Sequence, residues 1–226
     1  MTLSRRRVSV ICALDHGMAS PTFLGPLAYI AIPTADAVAG GANVIMISKG
    51  MSWPAVRAFS PTTSLAVLLS ASANPERGQP QVVQIADGQE ALRLGADAVV
   101  LFTALGGSAE ADMIRTLAAV GREAERLALP LIAGAEFPTT YASVAELKDR
   151  YGFGYMRRNV RLCAELGANI IKTNWPWCAV IQAAGRSCQH YRAAGLPPGR
   201  RQAGQPAGCA GARTRPCRGH CVAGRA

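Results

Sequence analysis

The chain has 226 residues, half of them hydrophobic, 6% aromatic and 17% charged; this profile fits one large domain with a buried core and excludes a disordered chain. No apolar run approaches the roughly 18 residues of a membrane span, so a spanning helix is not expected. The formal charge of +10 would point to nucleic acid, but from Cys178 onward there are eight arginines and no Asp, Glu or Lys, which leaves 16 basic and 14 acidic groups, a net of +2, on residues 1–177.

The opening MTLSRRR places basic residues ahead of an apolar run, as a leader peptide would, but Asp15 and His16 interrupt that run and it reads as a strand, VSVICAL at 8–14. Five more strand-sized runs follow: NVIMIS at 43–48, SLAVLL at 64–69, AVVLF at 98–102, LPLIAG at 129–134 and NIIKT at 169–173. Amphipathic stretches lie between them. Three of these end in Gly-Ala plus a polar residue just before the next strand, at GGAN 40–43, LGAD 94–97 and LGAN 166–169; glycine there terminates a helix.

The clearest helix is 108–129, with Ser108 as N-cap, Glu110 and Asp112 in the first turn, and an apolar stripe of Ile114, Leu117, Ala118 and Leu127. A second spans 155–169, where Val160, Cys163, Ala164 and Gly167 fall near one face. Strand followed by helix, six times over, predicts an α/β fold with a parallel sheet. No G-x-G-x-x-G follows the first strand, where DHGMASP stands instead, and polar residues gather at the C-terminal strand ends. Both features favour a TIM-type (β/α)8 barrel over an open doubly wound sheet, here incomplete with about six units.

After Trp177 the pattern stops. Beyond Ile181 the only large aliphatic residues are Leu196 and Val222, so 178–226 is expected to be an Arg/Gly/Ala/Pro/Cys-rich tail that cannot supply two further buried strands, attached to a barrel body of residues 1–177. A shifted reading frame in a GC-rich gene would produce such a composition. Tyr191 is the tail's one aromatic, too little stacking surface for a nucleic acid to be expected as partner. Cys209, Cys217, His220 and Cys221 lack paired zinc-site spacing, and neither a metal nor a cofactor is expected. Seven cysteines, an odd count without a secretion signal, fit reduced thiols and the cytoplasm.

The body contains three lysines, Lys49, Lys148 and Lys172. Lys148 sits among charged neighbours in VAELKDRYG. Lys172 lies inside the apolar run ANIIKTN, on the strand face of Ile170 and Asn174. It can simply solvate the strand end; alternatively, partial desolvation or a nearby cation favours a neutral amine able to attack a ketone and form an imine. Asp15-His16-Gly17 ends the first strand, either as a plain turn or with Asp15 moving protons. Lys49, in ISKG at the end of the second strand, is a candidate second cation or substrate contact.

In LDHG at 14–17, GGANVIMISKG at 40–50, EALRLGADAVVLF at 90–102, GGS at 106–108, LPLIAG at 129–134 and ELGANIIKTN at 165–174, the chain resembles the archaeal-type class I fructose-bisphosphate aldolases of the DeoC/LacD-like family. That group also includes aminodideoxyheptulosonate synthases and the autoinducer-2 phosphate thiolase. The resemblance implies a TIM barrel, Lys172 as Schiff-base residue and Asp15 as its acid/base partner; His16, Lys49 and Glu136 are the expected substrate contacts. The family's Tyr-Pro pair after the fifth strand, whose hydroxyl donates a proton, is Phe137-Pro138 here, so Glu136 or water would have to substitute. The family's phosphate-binding loops after strands seven and eight are not recognisable in the tail. The expected activity is nominally cleavage of fructose 1,6-bisphosphate, a small-molecule sugar phosphate, by a homo-oligomer. The alternatives are a heptulosonate synthase, autoinducer-2 phosphate processing, and a non-catalytic truncated product.

Overall fold

The computed structural model describes residues 9–18, 23–73, 81–105, 109–136, 153–174 and 220–224. In chain order these form β1 (Ile11–Ala13), a 3-10 turn (His16–Met18), α1 (Leu24–Leu27), α2 (Ala31–Ala39), β2 (Val44–Ser48), α3 (Lys49–Val56), β3 (Ser64–Leu68), β4 (Ser70–Ala73), β5 (Gln81–Gln84), α4 (Gly88–Arg93), β6 (Ala98–Ala104), α5 (Glu110–Arg126), β7 (Leu131–Glu136), α6 (Phe153–Glu165), β8 (Ile170–Asn174) and β9 (His220–Gly224). The principal sheet runs β1-β2-β3-β6-β7-β8-β9, and its first six members are parallel neighbours. They are the six strands expected from the apolar runs. The sheet curls into an incomplete TIM barrel.

Alternation along each strand divides the core in two. Ile45, Ile47, Leu65, Val67, Val99, Leu101, Leu131, Ala133 and Ile171 face the helices, joined by Met113, Leu117 and Val120 of α5 and Cys163 of α6. Val44, Met46, Ala66, Leu68, Ala98, Val100 and Ile132 form the other cluster, with Ile11, Ala13, Phe102 and Ile170 against it. That second set is the barrel lumen. Helix α5 buries Met113, Leu117, Val120 and Ala124, one stripe at helical spacing.

The three Gly-Ala-polar motifs have a common geometry. Gly41, Gly95 and Gly167 have φ of 96°, 78° and 100°, the left-handed region in which a glycine ends a helix without strain. The polar residue two positions later then grips the adjacent strand with two bonds. Asn43 Oδ1 accepts from Val10 N at 2.8 Å while Asn43 N donates to Val10 O at 3.1 Å. Asp97 does the same to Leu65 at 2.9 and 2.8 Å, and Asn169 to Leu131 at 2.8 and 2.9 Å. Each clasp sits where a strand begins and sets its register against its neighbour.

One feature differs from expectation and two more bear on it. Between β3 and β6 the chain forms an antiparallel pair, β4 with β5, followed by the short α4, where one helix was expected. Pro75, Gly78 and Pro80 lie between the pair, and such residues oppose a continuous helix. The expected cap Ser108 lies outside the described residues, and α5 begins at Glu110 after Ala109. The tail was expected not to supply two further buried strands; it contributes one short strand, His220–Gly224, which pairs with β8, antiparallel, with Val222 opposite Lys172. HCVAG has a β-branched centre flanked by small residues, enough for one short strand.

Two outcomes are expected. Asn169→Leu leaves the Leu131 N–H without its side-chain acceptor and should cost about 1–3 kcal/mol in urea unfolding. Burial pushes the Cys163 thiol up to about 11, partly countered by its hydrogen bond with Thr103. Its folded value thus lies above the ordinary 9.0, so this contribution to stability is full below about pH 9 and is lost as the pH rises toward 11. Cys163→Ala should flatten the decline in unfolding free energy over that window by about 2–3 kcal/mol relative to the unaltered chain.

Candidate active site

The C-terminal ends of the parallel strands define one rim, the end at which β/α barrels carry their chemistry. Lys172 lies on β8 two residues beyond lumen-facing Ile170, and therefore projects into the lumen. It is 7% exposed. Its register neighbours are Gly134 of β7 on one side and Val222 of β9 on the other, and Phe102 of β6 lies level with Gly134. A buried primary amine among apolar strands is an uncommon placement.

Asp15 follows lumen-facing Ile11 and Ala13 at the same alternation, just past the end of β1, where Leu14 N still donates to Met46 O at 2.8 Å. Its carboxylate Oδ1 lies 3.4 Å from His16 Nδ1, and the two side chains are 14% and 26% exposed. The His16 ring tilts against Phe23, with centroids 5.2 Å apart. Below them on β1, the Cys12 thiol is pushed up, chiefly by burial and secondarily by the charge of Asp15.

Lys49 opens α3 immediately after Ser48, and its Nζ pairs with Glu90 Oε1 of α4 at 3.1 Å. Glu90 also closes a reciprocal capping box with Asp87. The second candidate cation is therefore engaged with a neighbouring helix. Glu136 is the last residue of β7, level with Ala104, and its side chain lies outside the described residues, as do Phe137 and Pro138. At the same rim, the Tyr155 hydroxyl donates to Leu105 O and Arg158 pairs with Glu110 at 2.5 Å, tying α6 to the end of β6 and the start of α5.

The strands thus bring Lys172 and Asp15 to one face and one end of the sheet, with His16 on Asp15. Gly134, the register neighbour of Lys172, and Phe102, level with it one strand further on, were not singled out from sequence; a glycine inside the apolar run LPLIAG was the available signal. Among the described residues no group of three or more His, Cys, Asp or Glu side chains could hold a metal ion, and no helix is long and apolar enough to cross a membrane. A groove of about 630 Å³ lined by Gly121, Arg122, Glu125 and Gly167 lies at the opposite end of the strands and contains none of the candidate residues.

Comparison with known proteins bears on this arrangement. The 2-amino-3,7-dideoxy-D-threo-hept-6-ulosonate synthase of Halobacterium salinarum is 31% identical over 160 residues, covering 71% of this chain and 57% of that protein. The 2-amino-4,5-dihydroxy-6-oxo-7-(phosphonooxy)heptanoate synthase of Streptomyces griseus is 32% identical over 111 residues, 49% of this chain and 39% of that one. Among solved structures, an archaeal fructose 1,6-bisphosphate aldolase superposes with a TM-score of 0.56 at 25% identity, over 73% of this chain and 64% of the other. The chain therefore spans less than two thirds of the length of each of these relatives. The sequence model of the DeoC/LacD family aldolases matches residues 9–197, which takes in all six parallel strands and both Asp15 and Lys172. By that match, the chain belongs to the DeoC/LacD aldolase family.

Proposed function

We propose that this chain is a Schiff-base (class I) aldolase acting on a ketose phosphate, with Lys172 as the amine that captures the carbonyl. The observation that carries this reading is the placement of Lys172, 7% exposed on the lumen face near the C-terminal end of β8. The unprotonated Nζ attacks the ketone carbon, forming a C–N bond as the carbonyl electron pair moves to oxygen. Loss of that oxygen as water, with proton transfers through Asp15, leaves an iminium ion. The iminium then draws in the electron pair of the adjacent carbon–carbon bond. An aldehyde departs as the neighbouring hydroxyl yields its proton, and an enamine remains on Lys172. Protonation of the enamine carbon and hydrolysis release the second product and regenerate the amine. Read backwards, the same steps join two carbon fragments.

Fructose 1,6-bisphosphate is the nominal substrate, giving dihydroxyacetone phosphate and glyceraldehyde 3-phosphate. A second reading, synthesis of an aminodideoxyheptulosonate, is favoured by the names of the Halobacterium and Streptomyces relatives. Both share the imine. In this assignment Asp15 carries protons, His16 braces it, and Lys49 and Glu136 stand at the rim as substrate contacts. The site works in the cytoplasm as part of a homo-oligomer.

Borohydride added with dihydroxyacetone phosphate should leave a reduced, substrate-sized adduct on Lys172, located by peptide mass spectrometry. Lys172→Met should show none. An adduct of equal yield in that variant, or none in the unaltered chain, contradicts the assignment. Asp15→Asn should slow cleavage by about 10²–10⁴-fold with little change in the unfolding midpoint.

A further inference from the structure

Strand β8 is held to β7 by a side chain at each end, and Lys172 stands between the two attachments. At the start, Asn169 Oδ1 accepts from Leu131 N at 2.8 Å while Asn169 N donates to Leu131 O at 2.9 Å. At the other end, the Thr173 hydroxyl donates to Ala135 O at 2.8 Å. Ala135 with Thr173 is the last register pair of the two strands, directly after Gly134 with Lys172. Thr173 shares the helix-facing side of β8 with Ile171, so its hydroxyl reaches β7 on the face opposite the amine. A matching bond comes from the other flank, where the buried Thr103 hydroxyl of β6 donates to Gly134 O at 2.7 Å. The carbonyls of Gly134 and Ala135 are thus both taken by threonine hydroxyls, at the point where β7 presents no side chain to the lumen.

We propose that Thr173 is a positioning residue for Lys172: its bond to Ala135 closes the rim end of β8 and keeps the lysine backbone, and with it the aim of Nζ, fixed toward the lumen. The proposal rests on the imine reading of Lys172 and adds to it the group that orients the amine. Capture of a ketone requires Nζ to meet the carbonyl carbon at a set distance and angle, so freedom in the strand that carries it lowers the fraction of encounters that react. Among the described residues, Asn174 continues β8 past this pair with no register partner on β7. Without the hydroxyl bond, the strand end next to Lys172 is free to splay. Valine matches threonine in branching and in preference for strands, so exchanging the two removes the bond and little else. Because Thr173 faces the helices, its removal acts on the rate of capture and not on affinity for the ketone.

The initial rate of borohydride-trapped adduct at Lys172 would be measured against dihydroxyacetone phosphate concentration, with urea unfolding to show that each variant is folded. Thr173→Val should lower the limiting rate by about fivefold and leave the half-saturating concentration unchanged. Thr173→Ser keeps the hydroxyl and should restore the limiting rate. Thr34→Val is the control for general loosening: Thr34 is fully buried on α2, outside the sheet, and its hydroxyl donates to Ile30 O at 2.7 Å. That variant should lose stability and trap at the rate of the unaltered chain. An unchanged limiting rate in folded Thr173→Val overturns the proposal; should that variant not fold, an unchanged rate in Thr173→Ala does so. A slow Thr173→Ser, a shifted half-saturating concentration, or an equal slowing in Thr34→Val overturns it as well. An adduct in the unaltered chain with no effect of the Thr173 variants sinks the positioning role alone, whereas absence of any adduct in the unaltered chain sinks the imine reading, and the positioning role with it.

Discussion

Register is the constraint on which the site depends. Side chains alternate along a strand, so a slip of one residue between β7 and β8 would turn Lys172 from the lumen to the helix layer and leave the barrel without its amine. The two-bond clasp of Asn169 on Leu131 opposes that slip at the start of β8, three residues before the lysine. Its counterparts at Asn43 and Asp97 act on β1 and β3. The same short motif thus ends a helix, begins a strand and aligns it with its neighbour. Polar side chains at these partly exposed strand origins are satisfied, and the backbone groups they meet are satisfied with them.

The two faces of the sheet then take different residues for different reasons. The helix side is filled by large aliphatic residues such as Ile45, Ile47, Leu101 and Leu131, all fully buried, because helices supply a deep apolar partner. The lumen side includes alanines at 66 and 98 and a glycine at 134, because side chains from several strands converge there and bulk must be shared among them. Gly134 stands between Phe102 and Lys172 in this layer, and a Cβ there would lie 3.3 Å from Cα and Cδ2 of Phe102.

The elements whose signal is local were legible in the sequence. The six apolar runs and the three glycine helix ends each occupy a dozen residues or fewer of recognisable period, and each is present where expected; α5 is present too, but of its expected stripe of Ile114, Leu117, Ala118 and Leu127 only Leu117 is buried, the buried face being Met113, Leu117, Val120 and Ala124. The β4–β5 pair was missed because SASA and QVVQ are too short and too polar to stand out as strands. It forms through a contact between segments separated by Pro75, Gly78 and Pro80. The strand β9 was missed because its partner, β8, is some fifty residues away in the chain. At the site, an isolated lysine inside an apolar run was visible as an anomaly. Its register neighbours, Gly134 and Val222, were not, since their adjacency to Lys172 arises from strand order and not from spacing. The pairing of Lys49 with Glu90 was hidden for the same reason.

The reversed direction of β9 has a practical reach. The parallel strands all point their C-terminal ends at the rim that holds Lys172, and β1 is entered from the other side. Because β9 runs the opposite way, from His220 level with Asn174 to Gly224 level with Ile170, the chain leaves it on that same far side. An attachment made at Gly224 would therefore start at the end of the sheet opposite Lys172, whereas one made at His220 would start at the rim.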